Sequence, residues 1–416
     1  MKKLGTLLMA ILLVCALTAS ACAEALTGEI VVLLTNNWGA DTAAGAVLEQ
    51  AFTAYEEMHP GVTVTVQTAA ATDIKESFQT SALAGSGADI VITDNSGHAI
   101  DMAAMGLLMP LNSFITDEEL HAIYQPGPLA SGKFEGVYYS VPWYMNCCGM
   151  YVNTDRLNEI GCSVPTNWEE LSNVLDKLSA AGYGGIITYK SAYAFYSFFY
   201  QNDCSVIDTS EQTPQVVVDN ENGQEAWKYI CDMIQKGYIV ESFKEANSWD
   251  KAYESFANGE ASILLGGDWC RNGINKLNPS FAYSINAMPS HKKQATILGG
   301  WTWNINANTK RAALAWDLIR YITSADCDNV LNADGRHTCR IDFDLDSALT
   351  EKPWLKEIAS QYPNTMARPA IINEKAIDQL VVDQLLTVIY GQAQPEEALA
   401  SLSQKLKDNI SENYDE

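Results

Sequence analysis

Residues 132–157 read GKFEGVYYSVPWYMNCCGMYVNTDRL. Two short β-like runs, Gly136–Val141 and Gly149–Val152, flank a knot of aromatic and polar side chains. Pro142 has no backbone donor for a sheet ladder, so the first run is expected to end there. Trp143, Tyr144, Met145 and Asn146 follow directly. Apolar rings beside an amide suit a pocket for a polar molecule with a flat apolar face. The second run ends in Asn153-Thr154-Asp155, a helix-start signature. The chain is thus expected to leave one sheet, pass a binding patch and enter another, as a hinge at the lip of a cleft would.

The flanking sequence supplies two sheets for such a hinge. Upstream, Ile30–Leu34 is a continuous apolar run, as in a strand covered on both faces. Leu48, Ala51, Phe52 and Tyr55 follow at helical spacing, and His59-Pro60-Gly61 stops that helix. Val62, Val64 and Val66 alternate like a strand, residues 73–84 predict a helix, and Ile90–Ile92 predicts a buried strand. This β-α-β-α-β order argues for an α/β sheet wrapped by helices. Downstream, Thr166 and Glu169 predict a capping box ahead of Trp168, Leu171, Leu175 and Leu178. Strands are expected at Ile186-Ile187, Val216–Val218, Ala261–Leu265 and Phe281–Met288, and helices carrying Trp227, Trp249 and Trp316 lie among and after them. Thr309 is expected to open the helix bearing Trp316, and Pro395 the last one.

The ends and the composition bound what the chain can be. Lys2 and Lys3, the apolar run Leu4–Leu17 and the small residues up to Ala23 predict a secretory signal over residues 1–23. Cys22 offers a lipid-anchored alternative, although Ala19 stands where a lipoprotein site usually has a Leu-like residue. The protein is therefore expected outside the cytoplasm, at the cell surface or in the periplasm. Among 416 residues, Asp and Glu outnumber Lys and Arg by 51 to 26, a net charge of −25. Nucleic acid and anionic lipid surfaces are poor partners for such a body. Of the 10 cysteines, none forms a Cys-x-x-Cys pair, so zinc ribbons and thioredoxin chemistry are not indicated. Cys327 and Cys339 bracket a polar loop and form the best local pair for a disulfide; Cys231 reads as a buried thiol.

The ordered set of segments resembles the extracytoplasmic solute-binding proteins of carbohydrate importers, the class that includes maltose-binding protein. The set runs through FTAYEEMHPGVTV, GSGADIVITD, GLLMPLNSFI, GVYYSVPWYMN, MYVNTDRL, VPTNWEEL, ASILLGGDW, GGWTWNINANTKRAALAWDLIRYITS and EALASLSQKL. Cys147-Cys148 and the cysteine-flanked loop after Ser324 depart from it. The resemblance implies an α/β, two-lobed periplasmic-binding-protein-like fold (type II) with several hinge crossings. These are expected near VPWYMN, near FAYSINAMP and after Ser324. The N-terminal lobe would hold residues 24–142 with 287–330, and the C-terminal lobe 143–286 with 331–416. It further implies capture of a sugar or oligosaccharide and its delivery to ABC importer permease subunits by a monomer, with no catalysis and no cofactor.

Pocket candidates are the loops after strands, where open α/β sheets bind ligands. They are Asn36, Asn37 and Trp38; Asp94 and Asn95; Trp143, Tyr144 and Asn146; Asp268 and Trp269; Trp301 and Trp303; and Arg368 before Pro369. Sugars suit this mixture, because C–H faces stack on rings while hydroxyls need fixed donors and acceptors. Trp143 and Tyr144 are expected to point opposite ways from an extended segment, with Trp143 the structural one. Trp301 and Trp303 share parity, so both are expected to face the cleft. Trp168, Trp227, Trp249 and Trp316 are expected in the core. Two other classes stay open: an organic-cation binder using the rings with Asp94 and Asp268, and a secreted carbohydrate-active enzyme with paired carboxylates. Asp342, Asp344 and Asp346 resemble a calcium loop, but Ser347 and Pro353 replace its turn glycine and its terminal glutamate, and no metal site is expected.

Overall fold

The computed structural model describes residues 26–414 apart from 96, 211, 212 and 334. The expected signal and Cys22 lie outside the described residues.

Two sheets organise the chain. The larger has seven strands: β1 (Gly28–Thr35), β2 (Val62–Ala69), β3 (Ile90–Asp94), β4 (Ser140–Cys147), β9 (Thr296–Ile305), β10 (His337–Thr338) and β11 (Thr365–Met366). Its order is β10-β4-β9-β3-β1-β2, with β11 added to the start of β9. The smaller has four: β5 (Gly149–Asn153), β6 (Gly184–Ile187), β7 (Ala261–Gly266) and β8 (Tyr283–Ala287), in the order β8-β5-β7-β6. β1 and β3 are unbroken apolar runs because helices cover both faces of the sheet; β2 alternates because it is an edge strand. Each sheet has its own buried core, which defines an N-terminal and a C-terminal lobe.

Several helices matter below: α1 (Ala43–Met58), α2 (Ile74–Leu83), α3 (His98–Ala104), α4 (Tyr193–Gln201), α5 (Glu221–Gln235), α6 (Trp249–Ala257), α7 (Ala312–Ile322), α8 (Glu374–Ile389) and α9 (Pro395–Tyr414). Met58 ends α1 just before His59-Pro60-Gly61, and Pro395 opens α9. Asn153 caps the helix Thr154–Glu159 by accepting from the Arg156 N–H at 3.0 Å.

Several local readings are corrected. β4 runs through Pro142 instead of ending there: Pro142 lies opposite Thr302 and Tyr144 opposite Trp301, with the register shifted between them. Trp143 is the extra residue of a bulge, and the proline sits at the irregularity, where a missing donor disrupts little. The helix Trp168–Ala180 is capped by Asn167, with Thr166 bound to Glu170 rather than Glu169. Arg311, not Thr309, precedes α7. Cys327 and Cys339 are buried free thiols in the N-terminal core, on a 3-10 turn and beside β4 respectively. Asp342 is held by the Arg340 guanidinium at 2.8 and 2.6 Å, and Asp344 caps a helix by accepting from the Ser347 N–H.

The lobes meet at three crossings. The first is the bond between Cys147 and Cys148. Successive strand side chains point to opposite sides, so Cys147 enters the N-terminal core and Cys148 the C-terminal core. The Cys148 carbonyl accepts from the Thr296 hydroxyl at 2.8 Å and the Gln361 amide at 3.2 Å, which fixes the pivot. The second crossing falls near the start of β9, where Ile297 packs in the C-terminal core and Leu298 in the N-terminal core, and the third lies between β11 and α8. The segment after Ser324 does not cross: Val330, Leu331, Leu355, Ile358 and Tyr362 pack in the N-terminal core, and β10 pairs with β4. Residues 331–366 thus stand with the first lobe, not the second, while α8 and α9 pack in the C-terminal core.

Candidate functional site

The carboxyl ends of β1 and β3 and the adjoining parts of β4 and β9 carry the site candidates of the N-terminal lobe. A ring cluster packs there in the N-terminal core. Trp38, on the turn after β1, lies 4.4 Å from Trp143 and 6.1 Å from Tyr144. Trp143 lies 4.8 Å from Trp303. All four rings are buried. The expectation that Trp143 and Tyr144 diverge fails because the bulge abolishes strict alternation; their rings stand 5.4 Å apart. Trp301 and Trp303 keep their shared parity in β9 and pack on the same N-terminal core, but Trp303 is buried within it while Trp301 is half-buried at its edge, so Trp303 is a core residue.

Arg336 closes over this cluster. Its guanidinium lies 4.5 Å from the Tyr144 ring centre and 5.8 Å from that of Trp38, and it donates to the Tyr144 hydroxyl at 2.8 Å. Sequence reading missed Arg336. It lies in the cysteine-flanked loop, and only the fold brings that loop beside β4.

Groups from both lobes meet at Gly299-Gly300. A Cβ on Gly299 would fall 2.0 Å from Asn146 Oδ1 and 3.1 Å from the Tyr193 hydroxyl, so only glycine lets these two groups converge here. Neither Asn146 Oδ1 nor the Tyr193 hydroxyl has a hydrogen-bond partner among the described residues. Asn146 comes from β4 and Tyr193 from α4, so the two lobes each contribute one polar group. Burial pushes the Tyr193 hydroxyl far up, with Cys148, Cys147 and Asp268 adding to the shift, so it stays protonated and able to donate.

The C-terminal lobe carries Asp268 and Trp269, beyond β7. Asp268 is buried, and its backbone carbonyl and that of Gly267 accept from the Tyr151 hydroxyl at 3.3 and 2.8 Å. Trp269 is half-buried, 5.7 Å from Tyr193 and 5.2 Å edge-on from Trp249. Gly267 is needed for the ring of Trp269 itself, which would lie 1.9 Å from a Cβ there. Trp249 is half-buried and packs on the C-terminal core beside Trp269, whereas Trp168 and Trp227 are buried and Trp316 stacks on Phe114 at 5.4 Å.

The remaining candidates are dispersed. Asn36 and Asn37 are exposed on their turn. Asn95 is buried and donates its backbone N–H to Gly300. Asp94 lies 3.2 Å from His98, whose imidazole burial holds below its usual range. Arg368 lies 5.4 Å from the Tyr193 ring centre and is paired with Glu374 at 3.4 Å and Asp378 at 3.9 Å. Burial opposes its charge, but those two carboxylates override the effect and hold the guanidinium firmly charged. An acidic sugar would have to compete with both. No group of three or more His, Cys, Asp or Glu side chains is placed to hold a metal among the described residues. No described helix is long and apolar enough to cross a membrane.

A probable ABC transporter-binding protein of Deinococcus radiodurans is 23% identical over 325 residues, 72% of this chain and 75% of that protein. A multiple sugar-binding protein of Streptococcus mutans is 25% identical over 216 residues, 45% of this chain and 47% of that one. The GacH receptor of Streptomyces glaucescens, solved unliganded and with acarbose, shares the two-lobed fold. Its TM-score is 0.78 at 20% identity, over 93% of this chain and 99% of that one. Residues 39–326 match the family described as bacterial extracellular solute-binding protein, and the chain belongs to that family.

Proposed function

We propose that the protein captures a neutral sugar or oligosaccharide outside the cytoplasm and presents it to the permease subunits of an ABC importer, without catalysis. One observation carries this reading. Half-buried Trp269 and Trp301 stand on opposite lobes; Gly299, two residues before Trp301, lets the Asn146 amide oxygen converge with the hydroxyl of Tyr193, whose ring lies 5.7 Å from Trp269. Rings take the C–H faces of a sugar, while the amide and the hydroxyl take its oxygens. A ligand touching both lobes favours the closed form by its differential contacts. The pairing of Arg368 with two carboxylates disfavours anionic sugars. The relative named for multiple sugars and the receptor solved with acarbose agree with this reading.

Calorimetry with a panel of neutral saccharides, uronic acids and polyamines tests it. Saturable binding of a neutral saccharide without turnover is the expected result. Binding of polyamines alone, with steep weakening by salt, would replace the reading with the organic-cation one.

A further inference from the structure

Beside the cleft, the start of α8 interlocks with α2 and α3 of the other lobe. Gly97, at φ +79°, lies so close that a Cβ on it would come 2.5 Å from the Glu374 Cβ. Asn373, itself left-handed at φ 64°, donates its backbone N–H to Asp101 Oδ1 at 2.5 Å. Lys75 of α2 pairs with the other oxygen of Asp101, and Lys375 reaches Glu76 at 3.1 Å.

Behind these contacts lies a charge imbalance. Glu374 is 1% exposed, and neither of its carboxylate oxygens has a hydrogen-bond partner among the described residues. Glu374 and Asp378 share one cation, Arg368. The N-terminal lobe adds two more carboxylates, Asp94 from β3 and Asp101 from α3, which act on Glu374. The other neighbours do not restore the balance. Lys75 is engaged by Asp101, and Lys375 lies outside with Glu76. His98 is buried with its imidazole held below the usual range. Tyr189 faces Asp378 as a neutral phenol, and the Tyr196 hydroxyl and the Ala192 backbone favour the charged form of Asp378 in part, which leaves Glu374 the less compensated carboxylate. Burying a second carboxylate against one guanidinium is costly unless a proton is added.

We propose that the described structure, with α8 interlocked against α2 and α3, is the closed form, and that closure is coupled to proton uptake by the Glu374–Asp378 pair, so that the closed form holds a proton that the open form releases. Opening withdraws Asp94, Asp101 and the cover of Gly97 from Glu374 and readmits water. Burial is the main cause of the upward displacement of both carboxyl groups in the closed form, with Asp94 adding to both. A group raised in the closed form favours closure below its raised value, and the effect is lost as pH rises through that value. Each pH unit within that window changes the closed-to-open ratio by up to about tenfold for one proton.

The proposal needs no ligand, so its test is independent of the sugar-binding reading. The radius of gyration of the ligand-free full chain is measured by solution scattering at pH 5 and pH 8. The wild type is expected to be more compact at pH 5. Glu374→Gln is expected to remain compact at both, and Asp378→Asn to reduce the difference. Gly97→Ala, checked by thermal melt, is expected to stay extended at both. An unchanged wild-type radius would overturn the proposal. So would a full pH response in either folded carboxamide variant.

Discussion

Trp143 and Trp303 sit on the same two strands as Tyr144 and Trp301, yet they belong to a different part of the molecule from Trp269 and Trp301. The first pair is 1% exposed and packs ring against ring inside the N-terminal core. The second pair is half-buried, one ring on each side of the lobe boundary. All four follow or precede turn-forming residues in the sequence. What separates them is depth: Trp143 and Trp303 lie inside the N-terminal core, while Trp301 packs at the edge of that core and Trp269 at the edge of the other. On the proposed function the same residue type serves stability in one place and recognition in the other, and mutation should separate the two roles.

The largest effect is expected in the buried pair. Trp303→Ala should cost about 3–5 kcal/mol of stability, the range for emptying a large aromatic site in a core. A denaturant titration reads this directly, and affinity should fall only as far as unfolding removes competent protein. A loss below about 1 kcal/mol would place Trp303 with the recognition residues instead.

The recognition pair should behave the other way. Trp269→Ala and Trp301→Ala are each expected to weaken saccharide binding by roughly tenfold to a hundredfold, from about 1–3 kcal/mol per stacked ring. Melting of the free protein should move little. Calorimetry beside a thermal melt distinguishes this from core damage, which would lower the melting temperature while leaving affinity intact.

The smallest effect calibrates both. Asn167 caps an outer helix of the C-terminal lobe, away from either set of tryptophans. Asn167→Ala should cost about 1 kcal/mol of stability and leave affinity unchanged. If affinity fell in parallel with this modest loss, the separation drawn from the tryptophans would itself be in doubt.

The architecture was largely legible because it rests on periodicity. The buried strands Ile30–Leu34 and Ile90–Ile92, the stop at His59-Pro60 and the cap at Asn153 all depend on local chemistry, and all occur as read. The site was legible only in part. We propose Trp269, Trp301, Asn146 and Asp268 for the site; Trp143, expected to be the structural ring, is buried, whereas Trp303, expected to face the cleft beside Trp301, lies in the core. Tyr193, Trp249 and Arg336 join these candidates from a buried helix, a helix face and a loop more than 180 residues beyond Tyr144. Their roles arise from tertiary placement, which spacing along the chain does not encode. The third crossing was misplaced for a similar reason: residues 331–366 carry too few regular elements to announce which core they join.

The central claim is that one site is built jointly by the two lobes. Backbone hydrogen exchange, followed with and without a saccharide that binds, tests it most directly. Residues 299–301 and residues 267–269 are expected to gain protection together on addition of the ligand. Protection confined to one of these segments, or appearing around Trp143 and Trp303 instead, would contradict the account.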